Sequence, residues 1–259
     1  MRKFLILAAA LSTAALAQAQ TLVASYSFQN SLNANQGGAP ALTAIDPLGQ
    51  NSFDTALVNG VNRTVYHWRG DGSDATKQSG LTLDATGLLS NYSNYSVGMT
   101  LSFDTIALTG GGWRRLIDFQ GRQSDNGFYV NPSQRLEAVE GSTLPAGSTF
   151  FTTSVFHQVW LSVAPEAGKQ RVKAWLDGQM EFSLLTSVFS LDNAQNPGHL
   201  LTFFADNIGA SANQEFANGQ IASLALYDGA TAPVPEPTTA LLWLGGAALL
   251  VAVRRRPQL

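Results

Sequence analysis

The chain contains no cysteine. Disulfides and thiolate metal sites are therefore closed to it, and stability has to come from packing. Charge is scarce too, at 13% Asp, Glu, Lys and Arg over 259 residues. The three histidines, His67, His157 and His199, stand too far apart for a metal-ligand spacing. His157 opens a strand-like segment and reads as structural. No Gly-x-Ser-x-Gly nucleophile elbow occurs. Gly110-Gly111-Gly112 lacks the Lys-Ser/Thr that completes a phosphate loop and precedes a strand pattern, so it reads as a hairpin loop. No segment of ten or more residues carries a helical period, and only residues 85–90 suggest a short helical turn.

What is present is most distinctive at the two ends. Arg2-Lys3, an apolar stretch over residues 4–16 and Ala17-Gln18-Ala19 make a signal peptide with an A-x-A cleavage site, with Gln20 as the expected mature start. The other end reads Val234-Pro235-Glu236-Pro237, then an apolar run over residues 238–253, then Arg254-Arg255-Arg256. Three arginines resist crossing a bilayer, so this order places the body outside the cytoplasm. The apolar run is short against the roughly 20 residues of a stable span, which favours a processed signal over a plain C-terminal anchor.

The tail resembles the PEP-CTERM sorting signal of Gram-negative bacteria that make extracellular polysaccharide. That resemblance implies cleavage near Pro235, Glu236 and Pro237 by exosortase, a membrane-embedded enzyme similar to cysteine proteases. It implies a precursor held in the inner membrane by a hydrophobic helix and a product at the outer surface or in the matrix. Signal peptidase and an exosortase-type enzyme are the expected processing partners. The domain plan is thus a signal peptide over 1–19, a body over 20–230 and a sorting tail over 231–259.

Setting aside Arg2, Lys3, the three terminal arginines and Glu236 leaves 10 basic and 17 acidic residues, a net charge of −7. An acidic body with no basic cluster argues against nucleic acid or anionic lipid as partner. Its strand signals are strong. Tyr95, Val97, Met99, Leu101 and Phe103 alternate with small polar residues. Val159, Leu161 and Val163 repeat the pattern, with Trp160 on the opposite face. Val172, Ala174 and Leu176 alternate with Arg171, Lys173 and Trp175, and run into the hairpin dipeptide Asp177-Gly178. Residues 22–28, 113–119, 200–204 and 221–227 also read as strands. Many short strands separated by Gly-, Ser- and Asn-rich loops predict an all-β sandwich or jelly roll.

The succession of these segments is similar to laminin-G-like domains. It runs from Ser25-Tyr26-Ser27-Phe28, through Arg115-Leu116-Ile117-Asp118-Phe119 and residues 157–163 and 171–178, to Gly219-Gln220-Ile221-Ala222 and residues 224–228. The resemblance implies a concanavalin A-like jelly roll of two antiparallel sheets with paired first and last strands. That fold hosts hydrolases, lectins and adhesive modules, so function must come from the site. The Glu-x-Asp-x-x-Glu type of run that such hydrolases carry on one strand is missing. Glu137 and Glu140, three apart, point to opposite faces of a strand. The resemblance also implies a calcium site of carboxylate and carbonyl oxygens at a loop edge, for which Asp206, Asn207 and Glu215 are the candidates; the alternative is a plain Asx-turn. Trp68, Trp113 and Trp175 are candidates for stacking on sugar faces, against a packing role for each. The expectation is an exported, non-enzymatic structural or adhesive module. A carbohydrate-binding lectin-like protein of the polysaccharide matrix is the alternative, and a glycan hydrolase or lyase the second.

Overall fold

The computed structural model describes residues 21–104, 110–208 and 215–233. The signal peptide, the sorting motif with its apolar run and the arginine cluster lie outside the described residues. In chain order the strands are β1 (Thr21–Tyr26), β2 (Thr43–Ile45), β3 (Ser52–Val58), β4 (Val61–Trp68), β5 (Gly80–Asp84), β6 (Tyr95–Phe103), β7 (Arg114–Asp118) and β8 (Gly127–Val130). They continue with β9 (Leu136–Glu140), β10 (Ser142–Thr143), β11 (His157–Glu166), β12 (Lys169–Leu176), β13 (Gln179–Thr186), β14 (Leu200–Phe203) and β15 (Gly219–Asp228).

They form two antiparallel sheets of a jelly-roll sandwich. The first runs β13-β12-β11-β6-β15-β4-β3 and the second β10-β9-β8-β7-β14-β5-β2. The long strand β15 gives one edge to two partners, Gly219–Ile221 to β4 and Leu224–Asp228 to β1. The first and last strands therefore pair, as the resemblance implied, and each covers backbone that would otherwise be an open edge. The period-two patterns sit as expected. Val97, Met99, Leu101 and Phe103 of β6 and Val159, Leu161 and Val163 of β11 face Leu83, Leu116, Phe128, Val130 and Leu201 of the other sheet in one core.

Hairpin chemistry fixes the register of the outer strands. Asp177 and Gly178 take φ of 50° and 82°, joining β12 to β13, and Asn59 and Gly60 take 49° and 81°, joining β3 to β4. Positive φ at both central positions is the type I′ geometry that matches strand twist. Residues 85–90 form a turn rather than a helix. Leu88 N–H donates to the Ala85 carbonyl at 3.0 Å, and Gly87 at φ 74° stops any continuation. His157 is structural: its Nδ1 lies 2.7 Å from Asp177 Oδ2 and its Nε2 meets the Thr152 backbone. Glu137 and Glu140 hold separate partners, the Asn131 amide at 2.6 Å and the Ser187 N–H at 3.0 Å.

Candidate functional site: an acidic cluster beside Trp113

The site lies on the outer face of the second sheet, where β7 changes register. A bulge between Arg115 and Ile117 sends Leu116 and Ile117 into the core and leaves Arg115 on the far side with Tyr129, its cross-strand neighbour. The guanidinium lies 4.7 Å over the Tyr129 ring. It donates from Nη1 to Asp118 Oδ2 at 2.7 Å and from Nε to Asp206 Oδ1 at 2.9 Å. Nη2 donates to the Ser124 carbonyl at 3.0 Å and Nη1 to that of Asn126 at 3.3 Å. Asp118 accepts the N–H groups of Gln120 and Arg122 at 3.1 and 2.8 Å, which folds the loop after β7 back over the sheet. That loop carries Asp125 into place, and the Tyr129 hydroxyl donates to the Asp125 carbonyl at 2.8 Å.

The loop after β14 supplies the rest. Asp206 N–H donates to Gln78 Oε1 at 2.7 Å, and the Glu215 N–H donates to Asp206 Oδ2 at 3.0 Å. Carboxylate oxygens of Asp125, Asp206 and Glu215 all lie within 4.8 Å of one another. The Asn207 amide donates to Asp125, while Asn207 Oδ1 is buried without a hydrogen-bond partner among the described residues.

The charges do not balance. Asp118, Asp125, Asp206 and Glu215 face Arg115 and Arg122, which leaves two negative charges in a largely buried cluster. Glu215 responds most. Burial, reinforced by the neighbouring Asp206 charge, pushes its carboxyl up to about 7. Burial and Asp206 also raise Asp125, and burial raises Asp118. Arg115 shifts the other way. Burial opposes its charge, but Tyr129, Asp118, Asp206 and Glu215 together hold its pKa above the ordinary arginine value.

This set fits a hard divalent cation. It offers three carboxylates within reach of one ion and one buried amide oxygen without a hydrogen-bond partner among the described residues. Arg115 is the built-in competitor, since both Asp206 oxygens already accept a hydrogen bond. A carboxylate oxygen has two lone pairs, so these bonds leave acceptor capacity on each.

The sequence candidates fall into place unevenly. Asp206, Asn207 and Glu215 do come together. Asp125 and the Arg115–Asp118 pair join them, and neither was legible as part of the site, since Asp125 sits in a Ser/Asn-rich loop with no motif around it. Trp113 stands with its indole edge-on to Tyr129, centroids 5.7 Å apart. It lines the same cavity of about 440 Å³ as Asp125 and Glu215. Trp175 belongs to the opposite sheet, beside Lys173 in a separate groove of about 270 Å³. Trp68 is in the core, stacked on Phe204 at 3.7 Å with its Nε1 donating to the Ala217 carbonyl, so it presents no face to a ligand. The residues of the two processing signals, Ala17, Ala19, Gln20, residues 235–237 and residues 254–256, lie outside the described part. Among the described residues no helix is long and apolar enough to cross a membrane.

No protein-family profile matches the chain, and no curated protein matches it either. Solved structures do. A botulinum neurotoxin type C structure, reported for cell entry dependent on two ganglioside molecules, superposes with TM-score 0.52 at 11% identity over 87% of this chain. The binding domain of botulinum neurotoxin DC, solved with rat synaptotagmin II, superposes with TM-score 0.51 at 11% identity over 82%. This chain spans about half the length of each, 51% and 48%. The shared fold is a jelly-roll sandwich of two antiparallel sheets. At such identity the likeness concerns the fold alone.

Proposed function

We propose that the protein is an exported, non-enzymatic surface module that binds glycan in the cavity lined by Trp113, Asp125 and Glu215. The observation that carries this reading is the placement of a half-exposed indole beside a cation-competent acidic cluster in one cavity. An indole face stacks on the apolar face of a sugar ring, and a calcium ion held by Asp125, Asp206, Glu215 and Asn207 would accept sugar hydroxyls as ligands. Lectin-type architecture in the structural neighbours supports a binding module, and the termini support an exported one. The ganglioside named for the neurotoxin marks glycan as the ligand class to try first. Purified protein on a glycan array, with calcium and then with chelator, tests the reading. Glycan binding that chelator abolishes, and that Trp113→Ala removes without unfolding, is expected. No binding under either condition overturns it.

The sorting reading has its own test. Replacing Glu236 and both flanking prolines is expected to trap full-length protein in the inner membrane. A wild-type product still ending at Leu259 by mass spectrometry would make the tail a plain anchor.

One observation favours a second reading, glycan hydrolysis. A carboxyl raised to about 7 beside another carboxylate is the pairing a general acid needs. Arrangement opposes it. A glycosidase sets a pair of carboxyls on either side of a scissile bond, whereas here oxygens of three carboxylates converge within 4.8 Å of one another, as ligands of one ion do. Release of reducing sugar from a bound glycan, lost in Glu215→Gln, would establish hydrolysis instead.

A further inference from the structure

After β15 the chain does not leave the domain. Gly229, at φ 100°, turns residues 229–232 back across the outer face of the first sheet. Among the described residues, six hydrogen bonds hold them there. Gly229 N–H donates to the Asn94 carbonyl at 3.1 Å, Ala230 N–H to Asn94 Oδ1 at 2.9 Å, and Thr231 N–H to Ser96 Oγ at 2.8 Å. The Ser96 hydroxyl in turn donates to the Gly229 carbonyl at 3.0 Å, and the Thr231 hydroxyl lies 3.2 Å from Ser96 Oγ. Trp160 Nε1 donates to the Thr231 carbonyl at 2.8 Å. Trp160 is itself fixed. Its ring covers Gly98, where an added Cβ would come within 2.7 Å of it, so the indole has one place to lie.

This strap is one wall of the 270 Å³ groove. Trp175, paired with Trp160 across β11 and β12, is part of its floor. Two cations line it. Arg171 is taken, donating to Glu166 at 2.5 and 3.0 Å. Lys173 is exposed and forms no ion pair or side-chain hydrogen bond among the described residues. The groove thus offers the small exposed part of the Trp175 indole, 8% of the residue, and one spare positive charge at the point where the strap ends.

The next residues are Pro233-Val234-Pro235-Glu236-Pro237. Alternate prolines fix φ and push the residues between them into extended backbone. A polyproline-II run rises about 3.1 Å per residue, so four residues in that form would give Glu236 a reach of up to about 12 Å from Ala232. Aromatic-lined grooves are the usual receptors for such runs. We propose that residues 234–237 dock back into this groove, prolines against Trp175 and the Glu236 carboxylate against Lys173, so that the domain masks its own tail motif. Any enzyme that acts on the motif then has to displace it from the sheet first. The inference rests on this chain's charges and reach and is independent of the glycan reading.

Because the chain has no cysteine, two introduced thiols report the contact cleanly. In the full chain in detergent, an Ala164→Cys/Val234→Cys pair, which leaves Lys173 and Glu236 in place, is expected to form an intramolecular disulfide at least tenfold faster than an Arg63→Cys/Val234→Cys control. Arg63 is exposed on β4, outside the groove. A Val234→Cys thiol should label several-fold faster with a bulky maleimide once Lys173→Glu is added. It should slow again when Glu236→Lys restores opposite charges. Equal oxidation of the two pairs, or labelling indifferent to Lys173→Glu, overturns the proposal. Disulfide-linked dimers in place of the intramolecular bond also overturn it, since the groove would then take the tail of a second copy.

Discussion

Arg115 and Asp206 stand 91 positions apart in the chain and meet as a fully buried ion pair, Nε to Oδ1 at 2.9 Å. The pair ties β7 to the loop after β14 and so fixes where the acidic cluster can form. Losing one member leaves the other charge buried and uncompensated. Asp206→Ala is therefore expected to cost about 3–5 kcal/mol in chelator, measured by denaturant unfolding, and more in calcium, where a ligand of the ion is lost as well. This makes Asp206 a poor probe of metal binding. A cost below about 1 kcal/mol would mean that the pair is not the anchor described.

Calcium itself is better probed through Glu215 and Asp125, which face the cavity. An ion bound by the folded state alone stabilises it by mass action, by about 2.7 kcal/mol at a free concentration 100 times its dissociation constant. The melting temperature of the wild type should rise in millimolar calcium and fall back with chelator. Glu215→Gln and Asp125→Asn should melt at one temperature in both. A wild-type curve unmoved by calcium would assign the excess negative charge to a proton on Glu215.

Neighbouring arginines test how buried charge is managed. Arg114 and Arg115 are both fully buried, yet Arg115 has a hydrogen-bond partner for each nitrogen and Arg114 has none among the described residues. Arg114 points to the core side, 5.7 Å from the Phe103 ring, and burial pulls its pKa down to about 10. A guanidinium in apolar surroundings without counter-charge is a liability that methionine removes at similar length. Arg114→Met should raise stability by about 1 kcal/mol or more, while Arg115→Met should lower it by several. Opposite signs in the same denaturation assay are the expected result. A large loss from Arg114→Met would show that its charge is compensated in the folded protein.

Tryptophans that look alike in the sequence separate in the same way. Trp68→Ala empties a core site and should cost about 3–5 kcal/mol. Trp113→Ala, at the cavity rim, should leave melting nearly unchanged and remove glycan binding. Stability loss at Trp113 comparable to Trp68 would count against a binding role.

Much of the fold was legible because alternation in β6, β11 and β12 is strict and the core reads only one face of each. The strands that escaped notice include the edge strands β2, β3 and β10, which are short or mixed in pattern, and β4, β5, β8 and β9, whose outer faces carry polar residues. Asn59-Gly60 was a readable signal for the β3–β4 hairpin, of the same kind as Asp177-Gly178. Part of the site was legible through Asp206, Asn207 and Glu215, whose loop lies next to a clear strand. Arg115 and Asp118 looked like strand residues because only a bulge, invisible in the alternation, turns them outward. Trp68 looked exposed because it precedes polar Arg69 and Gly70. Its burial depends on Phe204, which is distant in sequence.

His67 supplies the pH dependence. Its Nδ1 lies 2.8 Å from Asp54 Oδ2 and its Nε2 2.7 Å from Asp104 Oδ2, with Arg69, Ser52 and Gln220 completing the surroundings. Burial lowers its pKa and Arg69 opposes its charge, but the hydrogen bonds to Asp104 and Asp54 win and raise it above 6.5. A histidine raised on folding binds its proton more tightly in the native state. Its contribution is complete below pH 6.5 and is lost as the pH climbs through the folded pKa. The same contact holds Asp54 below its ordinary value, where burial alone would raise it. That contribution persists at neutral pH and fades only in acid, near the carboxylate range. His67→Gln keeps hydrogen-bonding capacity without the charge. The gap in melting temperature between wild type and His67→Gln should be widest near pH 5.5 and shrink toward pH 8.5; Glu215, raised to about 7, titrates in the same window but is common to both proteins and cancels in the gap. A gap constant over that range would mean that His67 serves as a neutral spacer between the two aspartates, with its proton playing no part in stability.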